Sequence, residues 1–247
     1  MSEPETQLEP EAQLEREAQL ERETQLERET QPMSEIFDCA DDTQRAAGLA
    51  AAVAAVLKGA LVVLPTDTVY GIGADAFRPS AVESLLAAKG RGRHVPPPVL
   101  VGSVRAASAL VEDLGPYGQE LVEEFWPGGL TLICRASRSL KWDLGETKGT
   151  VAVRMPRHPV ALDLLAQTGP MAVSSANLTG QPAATTADAA REQLGDSAEI
   201  YLDGGPCETD VPSTIVDLTG DMPRLLRSGV VSIGKLREVA AVAMGPD

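Results

Sequence analysis

From Asp42 onward, short apolar or β-branched runs alternate with segments of helical periodicity, and this alternation limits the fold more than any other feature of the chain. A predicted helix over about 43–58 stops at Gly59 and leads into Leu61-Val62-Val63-Leu64. Further strand-like runs fall at 130–134, 150–155, 171–174, 199–202 and 214–218, with Val99-Leu100-Val101 as a shorter one. Helices are predicted near 80–89, 104–112, 116–125, 159–167, 185–194 and 232–239. Elements in this order bury their apolar faces by packing helices on a twisted sheet, which makes the chain one α/β domain. With 247 residues, 43% of them hydrophobic, it can bury one sizeable core.

The first 32 residues stand apart. Glu5-Thr6-Gln7-Leu8-Glu9-Pro10 begins a hexad repeat that runs to Arg28, and its leucines Leu8, Leu14, Leu20 and Leu26 recur every six residues. At about 100° per residue, a step of six displaces successive leucines by about 120°, so they form no single stripe. Ten glutamates against three arginines give this segment −7 of the chain's −15 net charge. Residues 1–32 therefore read as a disordered or solvated acidic tail, and 33–247 as the folded domain, with its core at about 42–238. Met33-Ser34-Glu35 echoes Met1-Ser2-Glu3, which offers Met33 as an alternative start. No apolar run nears the roughly 18 residues that span a bilayer, and the glutamate-rich N-terminus is unlike a secretory leader; a cytoplasmic protein with no membrane association is expected. Cys39, Cys134 and Cys207 lack metal-ligand spacing, which suits a reducing compartment, and Cys134 lies in an apolar run as a core thiol would.

Two short polar segments sit where apolar elements end. Lys89-Gly90-Arg91 follows the helix at 79–88, in which Ser80 and Glu83 have capping-box spacing and Gly90 is placed as the stop. Ser175-Ala176-Asn177 follows the buried run Met171-Ala172-Val173 and precedes the turn Thr179-Gly180-Gln181-Pro182. Two cations and a hydroxyl-plus-amide pair, delivered by different elements, are suited to an anionic ligand that makes several hydrogen bonds.

With these segments in place, the chain resembles the YrdC family of L-threonylcarbamoyladenylate synthases, whose hallmark is Lys-x-Arg followed later by Ser-x-Asn. Five more stretches match in family order: Pro65-Thr66-Asp67-Thr68-Val69-Tyr70-Gly71, Trp126-Pro127-Gly128-Gly129-Leu130-Thr131, Thr150-Val151-Ala152-Val153-Arg154-Met155-Pro156, Pro212-Ser213-Thr214-Ile215-Val216-Asp217 and Arg227-Ser228-Gly229. The resemblance implies a single YrdC-like domain, in its short form without a C-terminal extension, with a twisted mixed sheet, a concave central cavity and flanking helices. It also implies condensation of L-threonine, bicarbonate and ATP to L-threonylcarbamoyladenylate plus pyrophosphate, for threonylcarbamoyl modification of an adenosine in tRNA.

Adenylate formation is in-line attack at the α-phosphorus, which calls for positioned cations more than covalent catalysis. By resemblance, Arg91, Thr150, Asn177, Thr185 and Arg227 line the ATP site, with Lys89 at the phosphates or the carbamate. The same resemblance implies that Thr68, Arg154, Ser175 and Ser213 hold threonine and that Lys89, Arg91, Ser175 and Asn177 form the catalytic set. Mg²⁺ is expected with ATP, without a dedicated protein cage. Plainer roles compete: Lys89 as a helix-dipole partner, Arg154 as a strand-end surface residue, Thr68 as a turn residue, Ser175 and Asn177 as turn or cap residues, Ser213 as a hydroxyl at the start of a strand, Thr150 as a strand residue and Thr185 as a helix N-cap. The sequence departs from the family pattern where a histidine is usual in the strand after Lys-x-Arg: Val99-Leu100-Val101 ends in Gly102, and His94 stands in the preceding loop.

Other classes fit less well. Gly71-Ile72-Gly73-Ala74-Asp75-Ala76 matches G-x-G-x-x-A, but the next helix starts near Ser80 and the region about 20 residues on is basic where a ribose-binding acid belongs. There is no P-loop motif, and His94 and His158 accompany no hydrolase signature. A non-catalytic RNA-binding or ribosome-maturation module of the same fold is the alternative, with Lys89, Arg91 and Arg93 on RNA phosphates. The −15 net charge and 3% aromatic content speak against a broad RNA surface, so direct tRNA binding is expected to be weak, the product passing to downstream transfer machinery.

Overall fold

Asp41 caps the first helix, its carboxylate accepting from the Gln44 N–H at 2.8 Å, and Gly59 ends it in the left-handed region at φ 96°. This helix, α1 (Asp42–Lys58), is one of seven among the residues that the computed structural model describes, 34–245. The others are α2 (Pro79–Ala88), α3 (Val104–Leu110), α4 (Gly115–Phe125), α5 (Pro159–Thr168), α6 (Ala187–Leu194) and α7 (Ile233–Val239). No helix of the described residues is long and apolar enough to cross a membrane. The predicted tail at 1–32 and the alternative start at Met33 lie outside the described residues.

Among the described residues, eleven strands form one mixed sheet: β1 (Glu35–Asp38), β2 (Val62–Leu64), β3 (Gly71–Asp75), β4 (Val99–Leu100), β5 (Leu130–Arg135), β6 (Thr150–Arg154), β7 (Met171–Ser175), β8 (Ile200–Asp203), β9 (Thr214–Asp217), β10 (Arg224–Arg227) and β11 (Ala243–Met244). Their order is β1-β8-β2-β3-β7-β4-β6-β5-β9-β10-β11. The pairs β1/β8, β8/β2, β4/β6, β5/β9 and β10/β11 are parallel, and the rest are antiparallel.

Strand periodicity divides the core in two. Val62 and Leu64 face α1 and α5, where they join Leu49, Ala52, Val56, Leu164 and Leu165, whereas Val63 points the other way with Ile72, Leu85, Leu121 and Leu132. A fully buried leucine such as Leu164 contributes roughly 1.5–3 kcal/mol by leaving water. The buried faces of α2, α3, α4, α6 and α7 all join the second core. On the first face, α1 and α5 cover the β8-β2-β3-β7 end of the sheet, and the surface toward β6, β5 and β9 borders a cavity instead.

Four strands escaped the pattern. β3 is masked by glycines, which have a packing reason: a Cβ at Gly71 would lie 2.6 Å from Val173 Cγ1, and one at Gly73 would lie 2.9 Å from Met171 Cε. Its glycines are thus sheet residues and not a nucleotide-binding turn. β1, β10 and β11 are short, two to four residues each; β1 and β11 are the two edges of the sheet and carry the fold beyond the expected 42–238 core at both ends. The Ser80/Glu83 capping box is also corrected. Arg78 is the N-cap of α2, without a side-chain hydrogen bond, and Pro79 opens the first turn, where its missing N–H is harmless.

Candidate active site

The cavity, about 470 Å³, lies over the helix-free part of the sheet and falls within the range of roughly 300–1,000 Å³ common for small-molecule sites. Period-two alternation builds its floor. Thr131 and Ile133 of β5, Thr150, Ala152 and Arg154 of β6, and Val173 and Ser175 of β7 line it, while Leu130, Leu132 and Val153 point into the core behind. Val95 to Pro98 form one wall, and Pro212, Ser213 and Arg227 another.

Local structure explains how Arg91 is delivered. Gly90 takes φ 61°, so the Gly90 N–H reaches the Ala87 carbonyl and the Arg91 N–H the Leu86 carbonyl, both at 2.9 Å. This Schellman closure of α2 needs glycine for its left-handed residue. It turns Arg91 toward β7, where Nη1 donates to Ser174 Oγ at 3.0 Å.

Of the sequence-predicted residues, Arg91, Thr150, Asn177, Arg227, Thr68, Arg154, Ser175 and Ser213 converge on this cavity. Lys89 and Thr185 do not line it. Lys89 is 1% exposed, and its ammonium donates to the carbonyls of Ser175 and Asn177 and to Asn177 Oδ1. Burial, with the Arg91 charge added, pushes its pKa down to about 8. Thr185 sits in the loop before α6, its carbonyl accepting from Cys207 N–H, and the helix is capped by Thr186 instead.

Asn177 borders the cavity, but its amide is committed to its own loop: Nδ2 donates to the carbonyls of Leu178 and Gln181, each at 2.8 Å. Thr150 Oγ1 donates to the Thr147 carbonyl at 2.8 Å. Ser213 Oγ lies 2.8 Å from Thr131 Oγ1 and accepts from Arg227 Nη2 at 3.0 Å.

Arg154 is buried among acceptors rather than exposed at a strand end. Nε donates to the Gly128 carbonyl at 2.9 Å, Nη1 to Thr68 Oγ1 at 3.0 Å and Nη2 to Asp67 Oδ1 at 2.8 Å. Asp67 Oδ1 also accepts from Arg157 N–H at 2.7 Å. Asp67, Thr131 and Ser174 are site residues that sequence reasoning missed, although Asp67 lies inside the quoted stretch from Pro65 to Gly71. An acid between two threonines is a partner for a buried arginine that no spacing rule announces.

Three guanidinium groups, on Arg91, Arg154 and Arg227, thus reach one cavity in a chain of strongly negative net charge. Burial lowers all three pKa values, and at Arg227 the charges of Arg154 and Arg91 lower it further. That mutual repulsion is relieved when an anion binds. The rest of the lining is apolar and hydroxyl-bearing, as a flat heterocycle and a small polar molecule require.

The missing histidine is not replaced. His94 is exposed, folds over Gly92 and does not line the cavity. Gly102 lies against α5: a Cβ there would come within 3.3 Å of the Leu165 and Ala166 backbone. The close helix, not the cavity, accounts for glycine at this position.

A model of the Sua5/YciO/YrdC family, described as telomere recombination, matches residues 54–229. The chain belongs to this family. One relative, a Mycobacterium leprae protein named as a candidate threonylcarbamoyl-AMP synthase, is 56% identical over 210 residues, which cover 85% of this chain and 96% of that protein. The threonylcarbamoyl-AMP synthase of Pyrococcus abyssi is 36% identical over 185 residues, 74% of this chain and 54% of the longer relative. A crystal structure of Sua5 from P. abyssi complexed with L-threonine superposes with a TM-score of 0.78 at 32% identity, covering 85% of this chain and 63% of that one. The Sua5/YciO/YrdC fold is therefore present with its mixed sheet and flanking helices.

Proposed function

We propose that this protein condenses L-threonine, bicarbonate and ATP to L-threonylcarbamoyladenylate and pyrophosphate, supplying the threonylcarbamoyl modification of tRNA through a separate transfer machinery. The observation that carries this reading is the convergence of Arg91, Arg154 and Arg227 on one hydroxyl-lined cavity; the names and the bound threonine of the relatives support it. Arg154, held by Asp67 and the Gly128 carbonyl, keeps two of its five N–H groups for a substrate carboxylate, and Thr68, Ser175 and Ser213 flank it as hydroxyl partners. Arg91 and Arg227, with Thr150 and Asn177 beside them, form the nucleotide half.

In this arrangement bicarbonate takes up a proton and loses water to give CO₂; the deprotonated threonine amine then attacks the CO₂ carbon, and a C–N bond forms as the nitrogen gives up one proton, leaving a carbamate. A carbamate oxygen then attacks the α-phosphorus of ATP, and the bond to pyrophosphate breaks. The chain's part is orientation, neutralisation of the phosphate oxygens by Arg91 and Arg227, and exclusion of water by the Val95–Pro98 wall. The charged lining residues are arginines, which do not ligate divalent cations, and no group of three His, Cys, Asp or Glu side chains stands together among the described residues. Mg²⁺ would enter on the phosphates of ATP.

The test is pyrophosphate release on mixing enzyme with ATP, MgCl₂, L-threonine and bicarbonate. Release should require all components, and omission of any one, or excess chelator, should abolish it. Release from ATP without threonine would contradict the proposal.

A further inference from the structure

The Ser175–Asn177 segment leaves the sheet at the end of β7, where the Gly71–Ser175 pairing and the bond from Ala176 N–H to the Tyr70 carbonyl at 2.8 Å are the last ladder contacts, and it must present a hydroxyl to the cavity. Lys89 takes over that task from below. Its ammonium meets three oxygens, the Ser175 carbonyl, the Asn177 carbonyl and Asn177 Oδ1, and an ammonium has three N–H donors. Its own carbonyl accepts from the Thr179 N–H at 3.2 Å and from Thr179 Oγ1 at 2.6 Å. One residue at the end of α2 thereby holds both sides of the 175–179 turn, and the Asn177 amide closes the turn onto Leu178 and Gln181.

We propose that Lys89 is a positioning residue, which fixes the Ser175–Asn177 loop and through it the Ser175 hydroxyl, and makes no contact with substrate. A contact with phosphate would require the ammonium to abandon a buried carbonyl and cross from a position 1% exposed into a cavity it does not line. Arg91, two residues on, is the group from this helix end that faces the ligand. The proposal rests on the reading of the cavity given above only for the choice of ligands.

The experiment uses the full chain labelled with ¹³C and ¹⁵N. Only five lysines are present, and the Lys89 ammonium signal is identified by its loss in Lys89→Met. In ligand-free protein, couplings across the hydrogen bonds are expected from Lys89 Nζ to the carbonyl carbons of Ser175 and Asn177. A freely exchanging Lys89 ammonium without such couplings overturns the proposal whatever the protein binds.

Tripolyphosphate is then titrated. The couplings and the Nζ shift should persist while the Arg91 Nε signal moves with saturation. A Lys89 signal that moves in step with saturation overturns the proposal. No response at Arg91 or Arg227 counts against the cavity as a phosphate site and leaves the result of the ligand-free arm standing.

Binding of L-threonine supplies a functional readout. Ser175→Ala and Lys89→Met should each weaken it by about fivefold, and the double variant should lie within about twofold of the weaker single one, because both remove the same placed hydroxyl. Additive losses overturn the proposal.

Discussion

Arg154 and Asp67 show how far the role of one side chain depends on another. Both are nearly inaccessible, so removal of either leaves its partner charged and buried, whereas replacing both with neutral groups removes the mismatch. Arg154→Ala and Asp67→Asn should each lower stability by about 3–5 kcal/mol, and Asp67→Asn with Arg154→Met should recover most of that loss, as read from urea midpoints. Equal losses in single and double variants would show that the pair is not coupled. Lys89 makes a prediction about pH. Its pKa is about 8 in the folded chain against an ordinary 10.5, so between these values the unfolded chain binds a proton that the folded chain does not, and stability gains as pH rises through the window. Cys39 and Cys134, pushed up to about 11 and about 12, act in the opposite direction above pH 9, and comparison with Lys89→Met cancels them. The stability difference between wild type and Lys89→Met should shift by about 1–3 kcal/mol in favour of wild type from pH 8 to 10.5. A constant difference would mean that Lys89 is not held in this buried setting.

At the scale of elements, the end of α2 joins sequence to site most directly. Gly90→Ala places a Cβ in the left-handed region with open space around it, so the expected loss of about 1–2 kcal/mol is conformational and not steric. Thermal unfolding measures it, and an unchanged midpoint would show that the closure is dispensable. This turn was legible in the sequence because glycine after an apolar helix has one common use. The strands β2, β5, β6, β7, β8 and β9 were legible as β-branched or apolar runs, whereas β3 was hidden by glycines chosen for the side chains across from them. The candidate site divides in the same way. Resemblance located eight lining residues, but which of their groups face inward depends on long-range partners such as Asp67 for Arg154 and Lys89 for Asn177, 87 and 88 residues apart. Local patterns carry no record of such pairs, and the expectation of Lys89 at the phosphates or the carbamate and of Thr185 at the nucleotide rests on resemblance alone.

For the whole molecule, the sheet is both scaffold and binding surface. Helices α1 and α5 cover one end of a face, and the part left bare holds the cavity, so β5, β6 and β7 give alternate residues to the core and to the site. The acidic hexad segment has no apolar stripe to add to either core. Deleting residues 1–32 should therefore leave pyrophosphate release unchanged and the melting temperature within about 4 °C, the scale of a 1–2 kcal/mol change in a domain of this size; a larger fall would mean that the segment docks. The central claim is that one cavity joins threonine, a one-carbon unit and an adenylate, and its most direct test is mass detection of the product. With ATP, MgCl₂, L-threonine and ¹³C-bicarbonate, the protein should form threonylcarbamoyl-adenylate carrying one ¹³C. Absence of that species from folded protein that binds both ATP and threonine would contradict the account.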